Sequence, residues 1–123
     1  MKKMSKFKFS YDEENDDLFL YNSNSRSKGS VEIGNLIMDY NNKKEFVGLQ
    51  IINASKFLKD ISNGETLNTI KKLLKNLKDC KMEVKPKNNL LIIKVYLFSK
   101  MKEISPVLSV PLISESSPAL ACT

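Results

Sequence analysis

Residues 90–99 read Leu-Leu-Ile-Ile-Lys-Val-Tyr-Leu-Phe-Ser. In an extended chain, successive side chains point to opposite faces. Leu91, Ile93, Val95 and Leu97 then share one face, and Ile92, Lys94, Tyr96 and Phe98 share the other. Both faces are largely apolar, so the run predicts a central strand with neighbours on each side. A chain that carries such a strand must supply partners for it.

The rest of the sequence offers several. Phe7, Phe9 and Tyr11 alternate with polar residues, and a second strand is predicted at Asp17–Asn22. The acidic residues 12–17 form the turn between them, where Asn and Asp tolerate unusual backbone angles. A polar loop at 22–29 leads to a short strand, Ser30–Ile33. Leu36–Tyr40 and Glu45–Ile52 form a hairpin across Asn41-Asn42-Lys43-Lys44. In its second strand Val47, Leu49 and Ile51 should share one face and Phe46, Gly48, Gln50 and Ile52 the other, and Gly48 fits a bulge or a close-packed neighbour. Lys81–Lys85 reads as another short strand. Val107–Ile113 reads as an edge strand, because Pro111 cannot donate to a ladder. Residues 114–123 read as a tail.

The helical signal lies between these strands. Ser55 is placed to cap a short helix carrying Phe57, Leu58 and Ile61. Ser62 and Glu65 have capping-box spacing, which predicts a long amphipathic helix over about 63–79. Leu67, Ile70, Leu73, Leu74 and Leu77 fall within roughly a third of its circumference. The fold class expected is α+β: one domain over residues 1–123, a mostly antiparallel sheet with this long helix packed on one face. The hydrophobic fraction of 41% suits one real core.

Charge is uneven along the chain. Residues 11–50 hold eight acids against four bases, and residues 70–102 hold ten lysines against two acids. Such asymmetry reads first as a solvated, lysine-rich surface of the second half, and otherwise as a sign of an acidic partner or of association of one half with the other. Lys71, Lys75 and Lys78 would line one flank of the helix, where they could meet phosphates. Tyr96 and Phe98 could offer stacking surfaces, but their alternation with core residues favours packing. Arg26 is the sole arginine, so base-specific recognition is not expected.

Site chemistry is sparse. The chain contains no histidine, which removes the commonest general base and the usual metal ligand. The four glycines are isolated, so no phosphate loop is formed. The turn at 12–17 lacks the spacing of a calcium loop and reads as a solvated hairpin tip. Asn53-Ala54-Ser55 reads as a strand-to-helix cap rather than a polar pocket. Cys80 and Cys122 make no metal or redox motif and read as reduced thiols. Met1-Lys2-Lys3 is not followed by an apolar segment, so a cytoplasmic protein without a membrane anchor is expected. No catalytic residue, metal or cofactor is assigned, and the protein is not expected to be an enzyme.

Three blocks carry a resemblance: Tyr-Asp-Glu-Glu-Asn-Asp-Asp-Leu-Phe-Leu-Tyr at 11–21, Leu-Ile-Met-Asp-Tyr at 36–40, and Phe-Val-Gly-Leu-Gln-Ile-Ile-Asn-Ala-Ser at 46–55. Together they resemble the small prokaryotic domain of unknown function 2283. The resemblance implies a compact β-rich unit over 11–55, which residues 56–113 extend by a helix and strands. It implies no established activity. Some members are thought to be encoded beside small RelE-like toxins and to act as their antitoxin partners.

Three functional expectations follow, in order. The first is a non-catalytic protein-interaction domain that forms a homo-oligomer. The second is an antitoxin-like partner of a small RelE-like toxin. The third is a weak, non-specific nucleic-acid binder through the lysine-rich face of Lys71, Lys75 and Lys78.

Overall fold

The computed structural model describes residues 3–22, 28–100 and 102–111. The tail expected at 114–123, Leu112 and Ile113 at the end of the edge strand, most of the polar loop at 22–29, and Cys122 lie outside those residues. Among these residues the fold is α+β, with antiparallel sheets and two short helices.

Among the described residues, two five-stranded sheets replace the single sheet expected. The first contains β2 (Lys8–Asp12), β3 (Asp17–Tyr21), β6 (Phe46–Ile51), β5 (Leu36–Tyr40) and β4 (Gly29–Ile33), in that spatial order. The second runs β1 (Lys3–Lys6), β7 (Leu77–Lys87), β8 (Leu90–Ser99) and β10 (Val107–Pro111), with β9 (Glu103–Ile104) also on β8. Among the described residues every pairing is antiparallel, β8 is central as expected, and β10 pairs on one side only.

The chain switches sheets at Phe7. Residues before it pair with β7, and residues after it pair with β3. The Phe7 amide donates to the Cys80 carbonyl at 3.0 Å, and its ring is buried. A strand that turns from one sheet into another makes a corner of this kind. Period two tells which face of a strand is buried but not which sheet it joins, so the sequence alone does not separate one sheet from two.

The inner faces of both sheets meet in one core. Leu18, Leu20, Met38, Leu49 and Ile51 come from the first sheet, and Met82, Ile93, Val95 and Leu97 from the second. All are almost wholly buried. Burial of that kind contributes about 1.5–3 kcal/mol for each large side chain.

Helix α1 (Ala54–Ile61) and helix α2 (Leu67–Lys75) pack against each other and close the core with Ala54, Leu58, Ile70, Leu73 and Leu74. The long helix expected over 63–79 is therefore shorter at both ends. Ser62 ends α1, with its amide on the Lys59 carbonyl, so it cannot open α2. The cap of α2 is Thr66, whose Oγ1 accepts from the Thr69 amide at 3.2 Å. Glu65 pairs instead with Lys102 at 3.1 Å. At the other end Asn76 stops the helix, and its Nδ2 donates to the Lys72 carbonyl at 2.7 Å. Leu77 and Lys78 already belong to β7, which is longer than the five-residue strand expected.

One detail of β6 also differs. Asp39 pairs with Gly48 and Tyr40 with Phe46, so Val47 is an extra, bulged residue. The bulge reverses the alternation. Phe46 packs on the core, 6.0 Å edge-on from Tyr40, while Val47 is buried apart from it. A Cβ at Gly48 would lie 3.1 Å from Asp39 Oδ2 and 3.4 Å from the Leu20 carbonyl oxygen. The carbonyl is at ordinary contact distance and the end of the Asp39 side chain can shift, so Gly48→Ala is expected to cost less than about 1 kcal/mol in urea denaturation.

Candidate functional site

The residues that carry the family-like pattern meet in space. Asp16 sits in the β2–β3 turn at φ 56°, and Asn53 precedes α1 at φ 54°. Asn53 gives α1 no side-chain cap. Asp16 supplies the cap from the hairpin instead. Its carbonyl accepts from the Ala54 amide at 2.8 Å, and its carboxylate accepts from the Ser55 amide at 3.2 Å. The Ser55 hydroxyl donates to Oδ2 at 2.7 Å, and the Tyr11 hydroxyl donates to Oδ1 at 2.5 Å.

Ser55 is 2% exposed, so a substrate cannot reach its hydroxyl. Burial first, and then the hydrogen bond to Asp16, raise the Tyr11 phenol well above its usual range. A buried serine, a proton-holding phenol and a carboxylate filled with donors make a latch rather than a nucleophile. The latch ties the first hairpin to the helix, and it replaces the local cap expected from 53–55: Ser55 lies inside α1 and donates to Asp16 rather than capping the helix.

The rest of the acidic turn faces water. Asp12 closes it by accepting from the Asn15 amide and side chain, at 3.2 and 2.8 Å, and these bonds hold its carboxyl below the usual range. Glu13 reaches Lys75 of α2 at 3.2 Å. Among the described residues, no group of acids, cysteines or histidines converges to hold a metal. No helix among them is long and apolar enough to cross a membrane.

The lysines expected on one helix flank are separated. Lys71 and Lys75 lie exposed on α2, and Lys75 is engaged by Glu13. Part of the charge difference between the halves is thus met inside the chain. Lys78 is not on the helix. Leu77 pairs with Ser99 and Asp79 with Phe98, so Lys78 is the extra residue of a bulge in β7. It lines a groove of about 480 Å³ with Lys72, Lys100, Lys102, Thr69 and Asn76. Sequence alone does not single out Lys72, Lys100 or Lys102. Their only signal is density of charge, since a helix end, a bulge and a turn bring them together.

Tyr96 and Phe98 also fall elsewhere than expected. They lie half-exposed on the outer face of the second sheet, away from the core. Their rings stack with centroids 6.4 Å apart and planes within 7°. The Lys94 ammonium lies 5.1 Å from the Tyr96 ring centre, and that of Lys81 lies 5.9 Å from the Phe98 ring centre. Ile92 is half-buried on the same face.

A family model described as a protein of unknown function, DUF2283, matches residues 8–55. The uncharacterized protein MJ0789 of Methanocaldococcus jannaschii is 31% identical over 99 residues, which cover 80% of this chain and 80% of that protein. A Methanosarcina mazei protein named as a putative hypoxanthine phosphoribosyltransferase is 28% identical over 97 residues, 77% of this chain and 72% of that protein. No solved structure matches. The likeness to both relatives runs well past residue 55, so they share the C-terminal part. The chain belongs to the DUF2283 family.

Proposed function

We propose that this DUF2283 protein is a non-catalytic binding module that lays single-stranded nucleic acid across the outer face of its second sheet. The observation that carries the reading is the parallel stack of Tyr96 and Phe98 on that face, flanked by Lys94 and Lys81. Stacking of a base on an aromatic ring contributes about 1–3 kcal/mol. The Lys94 and Lys81 ammonium groups lie over the rings, and a stacking base would displace them toward the phosphates that join the bases. The ordinary outer face of an antiparallel sheet is polar; here Ile92, Tyr96, Phe98 and Val107 interrupt the charges.

The face also carries Asp79 and Glu83, so attraction to phosphate is modest and falls with salt. With one arginine in the chain, base-reading forks are lacking and binding is indifferent to sequence. The name of the Methanosarcina mazei relative pairs a purine with a phosphoribosyl group. A flat base and a phosphate are the two chemistries this face receives, and no transfer step is assigned to it.

Fluorescence anisotropy with a labelled single-stranded oligonucleotide tests the reading. The pair Tyr96→Ala and Phe98→Ala is expected to weaken binding at least tenfold, since two platforms of about 1–3 kcal/mol each are removed. Binding that is not saturable in the wild type, or that survives the double change, would reject it.

One observation favours a second reading. Val107 is 52% exposed at the rim, where β10 pairs with β8 on one side among the described residues. An open edge invites a second copy of the chain. Sedimentation velocity should then show a dimer at micromolar concentration, and a monomer alone would remove this reading.

A further inference from the structure

We infer that the groove between the end of α2 and the end of β8 is a site for clustered phosphates, of the kind found in an oligophosphate chain or at a phosphorylated strand end. It deepens the nucleic-acid reading, since it would hold the terminus of a strand on the neighbouring sheet face, but it can be tested apart from that reading.

Four lysines line one cavity of about 480 Å³: Lys72, Lys78, Lys100 and Lys102. Lys102 shares its charge with Glu65 at 3.1 Å. Among the described residues, no acid pairs with Lys72, Lys78 or Lys100. Like charges held around one space repel each other, and a multivalent anion reverses that sign. Thr69, Asn76 and Ser99 add polar atoms to the wall.

The backbone arranges these lysines. Lys78 is the bulged residue of β7, and a bulge re-aims a side chain beside a site. Ser99 holds Lys102 by three bonds. The Ser99 amide and hydroxyl donate to the Lys102 carbonyl at 2.8 and 2.9 Å, and the Lys102 amide donates to Ser99 Oγ at 3.1 Å. Lys72 stands in the last turn of α2.

The plainer account is that basic residues gather at a helix C-terminus to offset its dipole. That accounts for Lys72. It does not account for Lys78, Lys100 and Lys102, which come from β7 and from beyond β8. Phe98 and Ser99 are adjacent on β8 but point to opposite faces, so the groove opens at the end of the strand that carries the rings rather than on their face.

The test is isothermal titration with inorganic tripolyphosphate, then with ATP, then with an oligonucleotide carrying a 5′-phosphate or a 5′-hydroxyl. The wild type should bind tripolyphosphate saturably at low salt. Lys72→Glu with Lys78→Glu should weaken that binding at least tenfold, and Lys56→Glu on α1 should leave it within twofold. Thermal melting of each variant checks that the fold is kept. ATP binding as tight as tripolyphosphate points to a free nucleotide tail as the source. A preference for the 5′-phosphate strand points to a strand end. Tyr96→Ala with Phe98→Ala should leave tripolyphosphate binding intact, which separates this site from the sheet face. Absence of saturable tripolyphosphate binding, or equal loss in Lys56→Glu, would overturn it.

Discussion

Asp16→Ala is expected to cost about 3–4 kcal/mol in urea denaturation, an effect large for a side chain in a turn. The carboxylate receives the Tyr11 hydroxyl, the Ser55 hydroxyl and the Ser55 amide. Removing an N-cap costs about 0.5–2 kcal/mol. Each buried donor left without a partner adds about 1–3 kcal/mol, and the terms overlap because the donors share one acceptor. Alanine is also strained at φ 56°, by about 1–2 kcal/mol. Against a total stability of about 5–15 kcal/mol, such a variant approaches unfolding. Asp16→Asn accepts the backbone angle and keeps one oxygen, so it should lose roughly half as much. Tyr11→Phe should lose about 1–2 kcal/mol, less in combination with Asp16→Asn than the single changes sum to. A loss under about 1 kcal/mol for Asp16→Ala would show that the latch does not hold the helix.

The latch shows how far the sequence can be read. Tyr11, the acidic turn and Asn53-Ala54-Ser55 are visible as blocks of one pattern, and the last block as a cap. That the cap comes from Asp16, far along the chain, is not visible, because a cap is ordinarily local. The helix end departs from expectation for a different reason. Leu77 fits a helical stripe with Leu73 and Leu74, and it also starts the strand that carries Cys80 and Met82 inward. Pairing with all of β8 outweighs three more residues of helix. The central strand is legible because both its faces are apolar. The same alternation misplaces Tyr96 and Phe98: it separates two faces but does not say which the helices cover.

On the proposed reading the two parts of the chain do different work. The segment matched by the family model, residues 8–55, holds the first sheet and the latch. The outer ring stack and the lysine groove belong to residues beyond it. A variant that breaks the latch should act on every property through loss of the fold. Variants at Tyr96, Phe98, Lys72 or Lys78 should act on binding with little change in melting. Surface changes away from buried groups usually stay within about 0.5 kcal/mol.

The largest pH effect is expected in alkali. Burial raises the Cys80 thiol from 9.0 to about 12, with the nearby Asp79 charge adding to it. Burial raises the Tyr40 phenol from 10.0 to about 12. Tyr40 is 3% exposed, and its hydroxyl has no hydrogen-bond partner among the described residues. The Tyr11 phenol is raised further still. All three keep their protons in the folded chain to higher pH than in the unfolded chain. The unfolded state thus binds fewer protons above about pH 9, and stability falls as pH rises. It is fully present below that pH and lost progressively toward pH 12. Each tenfold difference in proton affinity between the two states corresponds to about 1.4 kcal/mol, so the loss from Cys80 and Tyr40 together is on the order of 7 kcal/mol. Urea denaturation should give a constant midpoint from pH 7 to 9 and a steep decline above it. Cys80→Ala should delay the onset. Tyr40→Phe should flatten the later part and, by removing an unpartnered hydroxyl, gain about 1 kcal/mol at pH 7. A midpoint unchanged up to pH 11 would mean that these groups ionise alike in both states, and that the core around Cys80 and Tyr40 admits water.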